Sequence, residues 1–231
     1  MLTAIVVAGG RGLRMGATQP KQFLRLGSRP ILAHTLRVFE AHGGFGRIYL
    51  VVGREYWERC QREVLRPLNL STPIQLVPGG DERQDSVYNA LAAMAPTTTW
   101  VVVHDGVRPF TSPEEINRCL AQAQIHGAAI VGCPLADTVK QVSPQGLIAS
   151  TLPRSQLCRA QTPQVFSYPQ LWAAHQRARR DKYRVTDDAQ LLEWLGQPVA
   201  LVPGRSANIK ITIPEDLILA EALLKSDPQG A

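Results

Sequence analysis

Apolar residues along this chain follow two rhythms. Short runs rich in β-branched residues at positions 2–8, 47–52, 74–77, 100–104 and 128–131 read as strands. Several are apolar without alternation, as strands covered on both faces are. Between them, positions 31–41, 55–65, 85–94 and 113–126 repeat apolar residues at helical spacing. The last of these carries its own punctuation: Ser112 as N-cap, Pro113 at the first helical position, Glu115 at the capping-box site and Gly127 at the end. Its apolar face is Ile116, Cys119, Leu120 and Ala123, and the helix over 85–94 presents Val87, Leu91 and Met94. Strands alternating with helices predict a mostly parallel twisted sheet with helices on both faces.

The alternation breaks after Pro134. Positions 138–142 and 147–152 read as two strands joined by Ser143-Pro144-Gln145-Gly146, so residues 136–156 are expected to form a projecting β-hairpin arm. Helical spacing returns at 169–180 and 187–195, followed by strands at 199–202 and 209–213 and a helix from Pro214. In 209–213 the pattern predicts Ile209, Ile211 and Ile213 inward, with Lys210 and Thr212 outward. No repeat, linker or low-complexity tract interrupts the chain, which reads as one domain over 1–231 bearing the arm.

At 231 residues, 45% hydrophobic and 19% charged, the chain has the apolar content of one large core, which argues against disorder. Charge is unevenly spread. Residues 1–66 hold ten arginines and one lysine against four glutamates, a formal +7, whereas the rest of the chain sums to −1. A basic region of this kind predicts an anionic partner: nucleic acid, a membrane surface or a phosphorylated small molecule. Cys60, Cys119, Cys133 and Cys158 form no C-x-x-C pair, so neither zinc nor a disulfide framework is indicated, and reduced thiols in a cytoplasm are expected. No stretch approaches the ~20 apolar residues of a membrane span, and no targeting pattern precedes the apolar run at 4–8.

Open parallel sheets bind ligands beyond the carboxyl ends of their strands, which directs attention to the loops after Ala8, Val77 and His104. The first strand runs into Gly9-Gly10-Arg11-Gly12-Leu13-Arg14-Met15-Gly16, whose glycines let backbone N–H groups approach an anion. Met15 stands where a dinucleotide fingerprint needs its third glycine, and no Gly-Lys-Ser/Thr follows as in a P-loop. What remains is a glycine loop with Arg14 inside it and Lys21 shortly after, two cations suited to a polyphosphate. Asp105 ends an apolar run at the binding edge, where a carboxylate can meet magnesium or hydroxyls, and Arg108 belongs to the same wall. His104, just before Asp105, reads as structural. Local readings compete at three places: Asp81 with Gln84 as a helix cap, Asp105-Gly106 as a plain turn, and Thr186 as the N-cap of 187–195.

Six motifs occur in order: Ala8-Gly9-Gly10-Arg11-Gly12-Leu13-Arg14-Met15 with Pro20-Lys21-Gln22-Phe23; Gly79-Gly80-Asp81-Glu82-Arg83-Gln84-Asp85-Ser86-Val87; His104-Asp105-Gly106-Val107-Arg108-Pro109; Thr162-Pro163-Gln164; Thr186-Asp187-Asp188-Ala189; and Asn208-Ile209-Lys210-Ile211-Thr212. Together they resemble the 2-C-methyl-D-erythritol 4-phosphate cytidylyltransferase family of the non-mevalonate isoprenoid pathway, over nearly the whole chain. The resemblance implies a single Rossmann-like nucleotidyltransferase domain that forms a homodimer through the arm, and a magnesium-dependent transfer of CMP from CTP to methylerythritol phosphate. Other divalent ions are possible, and the metal is met mainly by CTP phosphates with Asp105 beside them.

The resemblance also assigns residues. Arg14 and Lys21 stabilise the transition state, and Ala8, Gly9, Gly10 and Gly12 cradle the nucleotide. Gly80, Asp81 and Ser86 surround cytosine, with Asp105 and Thr212 also on the nucleotide side. Lys210 grips the methylerythritol phosphate, with Asp105, Arg108 and Thr186 as further contacts. Arg154, Thr138 and Thr162 complete that subsite, Arg154 reaching from the arm into a neighbouring subunit. Gly106-Val107 departs from the family's commoner Ala-Ala, and Val7 from a frequent proline. A ribitol 5-phosphate cytidylyltransferase shares several motifs and stays open as an alternative. A basic nucleic-acid-binding module is the alternative from another class; 6% aromatics and the absence of an RNA or DNA motif weigh against it. Neither nucleic acid nor membrane is therefore expected as a partner.

Overall fold

A computed structural model describes residues 1–10, 19–95 and 97–226. The central sheet runs β5-β4-β1-β6-β10-β7-β11, with β1 Leu2–Val7, β4 Arg47–Val52, β5 Ile74–Pro78, β6 Trp100–Asp105, β7 Ala128–Pro134, β10 Cys158–Ser167 and β11 Ala200–Pro203. All pairings are parallel except those of β10, which runs antiparallel to both β6 and β7. Two short strands, β2 Arg25–Leu26 and β3 Arg29–Pro30, form a separate hairpin.

Period-2 alternation splits the sheet into two apolar faces. Ala4, Val6, Leu50, Val102 and Val165 pack under α1 (Ile31–His42) and α5 (Pro113–His126). Ile5, Tyr49, Val101, Val103 and Phe166 pack under α4 (Arg83–Ala92), α6 (Tyr168–Arg180) and α7 (Ala189–Trp194). Helix α5 occupies the expected residues, with the Ser112–Glu115 capping box and Gly127 in the left-handed region at φ 88°. Val87, Leu91 and Met94 are buried as the α4 spacing predicts. The stretch expected as one helix over 55–65 is a continuous helical rod of changing pitch: a 3-10 turn Arg54–Tyr56, α2 Trp57–Cys60, a π turn Gln61–Leu65 and α3 Arg66–Leu68. Helix α8 (Pro214–Ser226) closes a smaller cluster around Leu26, Ile31, Val107 and Ile211.

The arm is a two-stranded ribbon, β8 Val139–Val142 with β9 Ile148–Leu152, outside the main sheet. Val142, Leu147 and Ile148 on it are exposed.

One strand is unforeseen and three expectations are corrected. Strand β10 escapes the pattern because Gln161-Thr162-Pro163-Gln164 interrupts it with polar residues and a proline, which the sheet accommodates by a register shift between Ala160 and Gln164. Residues 209–213 are not a strand: one backbone bond, Ile211 N–H to the Val107 carbonyl at 3.0 Å, pins the segment. Ile211 is buried there but Ile213 is 40% exposed, and Lys210 turns inward to a carboxylate rather than to solvent. Helix α4 is capped one residue later than Asp81/Gln84, through a capping box between Glu82 and Asp85, while Gln84 is buried and bonded to the Tyr183 and Val185 backbone. Thr186 is not an N-cap: α7 starts at Ala189, and the Gln190 N–H is taken by the Asp187 carboxylate at 3.1 Å.

Candidate active site

The carboxyl ends of β1, β5 and β6 open onto a cleft of about 690 Å³. Ala8, Gly9 and Gly10 follow β1; the Ala8 N–H continues the ladder to the Val51 carbonyl at 2.8 Å. A 3-10 turn, Lys21–Phe23, brings Lys21 and Gln22 to the same cleft, and Gln22 Nε2 donates to the Ala8 carbonyl at 2.7 Å, tying the turn to the strand end. From β5 come Gly80 and Asp81, and from the first turn of α4 come Arg83 and Ser86. The Gly80 N–H donates to Ser86 Oγ at 3.0 Å, and a Cβ on Gly80 would lie 2.4 Å from that of Asp85, so only glycine fits this turn.

Asp105, at the end of β6, is the electrostatic centre. Its carboxylate receives Arg83 Nε at 3.2 Å, Arg108 Nε at 3.4 Å and Lys210 Nζ at 3.0 Å. Burial opposes its ionisation, but Arg83, Lys210 and Arg108 outweigh burial and hold the carboxyl far below the usual carboxylate range. Arg83 continues inward: NH1 meets Asp188 Oδ2 at 2.6 Å, and Asp188 Oδ1 meets His175 Nε2 at 3.0 Å, with Asp188 and His175 both fully interior. Burial again resists, yet Arg83 and His175 bring the Asp188 carboxyl down to about 2. Among the described lining residues Lys21, Arg83 and Lys210 are balanced in formal charge by Asp81, Glu82 and Asp105, and behind them Arg108 is balanced by Asp188. What the cleft offers an anion is placement rather than net charge: three cationic side chains from separate elements on one concave wall.

His104 lies behind this edge. Its Nε2 faces the Arg108 carbonyl at 3.0 Å, so that nitrogen carries the proton and Nδ1 accepts from Thr162 Oγ1 at 2.9 Å. Thr162 Oγ1 in turn accepts the Asp105 N–H at 3.1 Å. Burial depresses the His104 pKa to about 4, keeping it neutral and out of reach as a base.

The structure therefore brings together Ala8, Gly9, Gly10, Lys21, Gly80, Asp81, Ser86, Asp105, Lys210 and Thr212 around one cleft. Arg14 and Gly12 lie outside the described residues. Arg108 buttresses Asp105 from behind and bonds the Asn208 carbonyl at 2.8 Å rather than lining the cavity. The Thr162 hydroxyl is buried and fully used by Asp105 and His104, and Thr186 is exposed and bonded to Gln190. Thr138 and Arg154 lie at the arm, away from this chain's cleft, where Arg154 donates to the Ala136 carbonyl. Sequence reasoning missed Arg83 and Asp188 as functional groups. One signal was available: an arginine opening a helix opposes the helix dipole and needs a carboxylate partner.

Among the described residues no group of three His, Cys, Asp or Glu could hold a metal. Asp105 offers a single carboxylate already shared by three cations, so a magnesium ion fits only if phosphate oxygens and water supply most of its shell, a common arrangement for that ion.

A mostly parallel open sheet whose strand ends gather Ala8-Gly9-Gly10 and several cations, in a sequence without dinucleotide or P-loop spacing, is that of the nucleotidyltransferase class. The IspD family model, 2-C-methyl-D-erythritol 4-phosphate cytidylyltransferase, matches residues 2–226. A relative of that name from Pelotomaculum thermopropionicum is 47% identical over 227 residues, covering 97% of this chain and 94% of its own length. One from Syntrophotalea carbinolica is 47% identical over 221 residues, covering 95% and 94%. Among solved structures, the 4-diphosphocytidyl-2C-methyl-D-erythritol synthase of Anaerococcus prevotii superposes with a TM-score of 0.86 at 31% identity, covering 97% of this chain and 98% of its own. The Thermus thermophilus cytidylyltransferase gives 0.80 at 34%, covering 97% and 100%. The chain belongs to the 2-C-methyl-D-erythritol 4-phosphate cytidylyltransferase family and is a cytidylyltransferase.

Proposed function

We propose that the chain transfers CMP from CTP to 2-C-methyl-D-erythritol 4-phosphate. A phosphate oxygen of the polyol attacks the α-phosphorus in line, the bond to the bridging oxygen breaks, and pyrophosphate leaves with the electron pair. The observation that carries this reading is the convergence of Lys21, Arg83 and Lys210, from three separate elements, on one cleft around Asp105. The reaction must bring two anions together and stabilise further negative charge, which is work for positioned cations. Gly80, Asp81 and Ser86 offer backbone groups and a hydroxyl to the cytosine edge, and Lys210 and Asp105 face the polyol phosphate and its hydroxyls. Magnesium, when bound, would neutralise triphosphate charge and ease the departure of pyrophosphate. Arg14 is assigned to the triphosphate by its place in the family motif.

The arm supports a homodimer, since a lone two-stranded ribbon with exposed Val142, Leu147 and Ile148 is marginal without a partner. Arg154 and Thr138 then serve the neighbour's cleft. No helix among the described residues is long and apolar enough to cross a membrane, and four free cysteines suit a reducing cytoplasm.

Pyrophosphate release from CTP, measured with methylerythritol phosphate and with ribitol 5-phosphate, tests the substrate; faster turnover of ribitol phosphate overturns it. Lys21→Ala should lower turnover by at least ~100-fold, the loss typical of one oxyanion donor. Mixing Arg154→Ala protein with Lys21→Ala protein should restore part of the activity, and no recovery rejects the shared site.

A further inference from the structure

The surplus of arginine in the first 66 residues is not absorbed by the cleft. Four of those arginines, Arg25, Arg29, Arg59 and Arg62, line a second cavity of about 490 Å³ on the far side of the Lys21–Phe23 turn. Glu63 is the one acid among its described lining residues. It is shared between Arg59, at 2.8 Å, and Arg62, at 3.0 Å, so the cavity keeps a formal surplus of three positive charges. Arg59 is held rigid by Gln19 and by the Phe23 ring, 4.8 Å below its guanidinium. Arg25 is steadied by the Ser28 carbonyl at 2.6 Å, while the half-buried Arg29 side chain, on the short strand paired with Leu26, makes no hydrogen bond or ion pair with a described side chain.

Guanidinium groups crowded in a concavity repel one another unless an anion joins them, and their forked donors match phosphate oxygens. The cavity is of small-molecule size, and Ala33, Val64 and Leu68 give it an apolar floor. We propose that this cavity is a second anion site, separate from the cleft, for a small molecule carrying two or more phosphate groups. Its placement gives it a consequence. Gln19 and Phe23 line the second cavity while Lys21 and Gln22 line the cleft, so the two sites share one short turn as their wall. A ligand that draws on Arg59, Gln19 and Phe23 changes how that turn presents Lys21.

Tripolyphosphate is the probe, titrated calorimetrically into the full chain at low ionic strength. The wild type is expected to bind two per chain, one of them displaced by CTP. Arg29→Glu/Arg62→Glu should bind one, which CTP still displaces. Arg25→Gln/Arg29→Gln removes charge without reversing it and should weaken the second site about tenfold or more, with an unchanged melting temperature as the check on folding. One site in the wild type, or two undiminished sites in both variants, overturns the proposal. Tighter binding of a 12-nucleotide single-stranded RNA than of tripolyphosphate, lost in the same variants, overturns it in favour of nucleic acid. These binding results do not depend on the reaction proposed above. At saturating CTP, tripolyphosphate should shift wild-type turnover at least about twofold and leave Arg29→Glu/Arg62→Glu unaffected; second-site binding without that shift would refute the coupling through the turn.

Discussion

Asp188→Asn removes one charge from the interior while leaving the side chain's shape almost unchanged. In the folded chain Asp188 Oδ2 takes Arg83 NH1 at 2.6 Å and Oδ1 takes His175 Nε2 at 3.0 Å, and the residue is only 1% exposed. The drop of its carboxyl pKa from 3.8 to about 2 is a preference for the ionised form of roughly 2 kcal/mol. Breaking a buried pair from one side costs ~3–5 kcal/mol, because the surviving charge stays buried. Arg83 keeps Asp105 at 3.2 Å, which places the expected loss at the lower end, ~3 kcal/mol. For a chain of this size that is roughly a 6–12 °C fall in melting temperature. Urea unfolding followed by tryptophan fluorescence would measure it, with Asp181→Asn as the control. That residue pairs only with exposed Arg177 and Arg180, a kind of pair worth ~0–1 kcal/mol.

The pH dependence adds a second check. A depressed carboxyl pKa stabilises above the unfolded value of 3.8, and the benefit disappears as pH falls through about 2. The gap between wild type and Asp188→Asn should therefore be constant from pH 8 to 5 and narrow below 4. A loss under ~1 kcal/mol, or a gap that does not narrow in acid, would refute the assignment of Asp188 as the buried anchor of Arg83.

His104 predicts destabilisation at milder acidity. Its pKa falls from 6.5 unfolded to about 4 folded, so the unfolded chain binds the extra proton, and stability should drop by about 2 kcal/mol between pH 7 and pH 5, a slope that His104→Gln removes in urea titrations. Gly106→Ala introduces a Cβ 2.9 Å from that of Ala8 and 3.2 Å from the Val7 carbonyl, so it should cost ~1–3 kcal/mol and weaken CTP binding by displacing the first loop. Thermal melting and CTP titration check both effects. Lys210→Met keeps the apolar stem and removes the charge 3.0 Å from Asp105; kcat/KM for the polyol phosphate should fall at least about tenfold in steady-state assays, and an unchanged value rejects its role.

Much of this was legible in the chain. Strands β1, β4 and β6 and helices α1 and α5 announce themselves because each buries a regular apolar pattern, and α5 adds its own caps. Gly9, Gly10 and Asp105 sit where strand ends place them, and the Lys21–Phe23 turn brings Lys21 beside them. What escaped depends on partners distant in sequence. Strand β10 holds its central place despite Pro163 because β6 and β7 flank it on both sides. Lys210 looked solvent-facing because alternation in 209–213 suggested a strand, whereas the segment takes its course from the Val107 carbonyl and from Asp105. Arg83 and Asp188 are 105 positions apart, and no local rule connects them.

The return strand from the arm does not join the sheet at its rim. It enters at the middle, beside the strand that ends in Asp105, and its register slips at Ala160–Gln164, where Thr162 takes the Asp105 N–H. Between the ribbon and that return strand stand only residues 153–157, with the 3-10 turn Arg154–Gln156 among them, so a displacement of the ribbon reaches the sheet through one short connection. The arm is thus a short lever whose base lies beside Asp105, the carboxylate at the centre of the cleft.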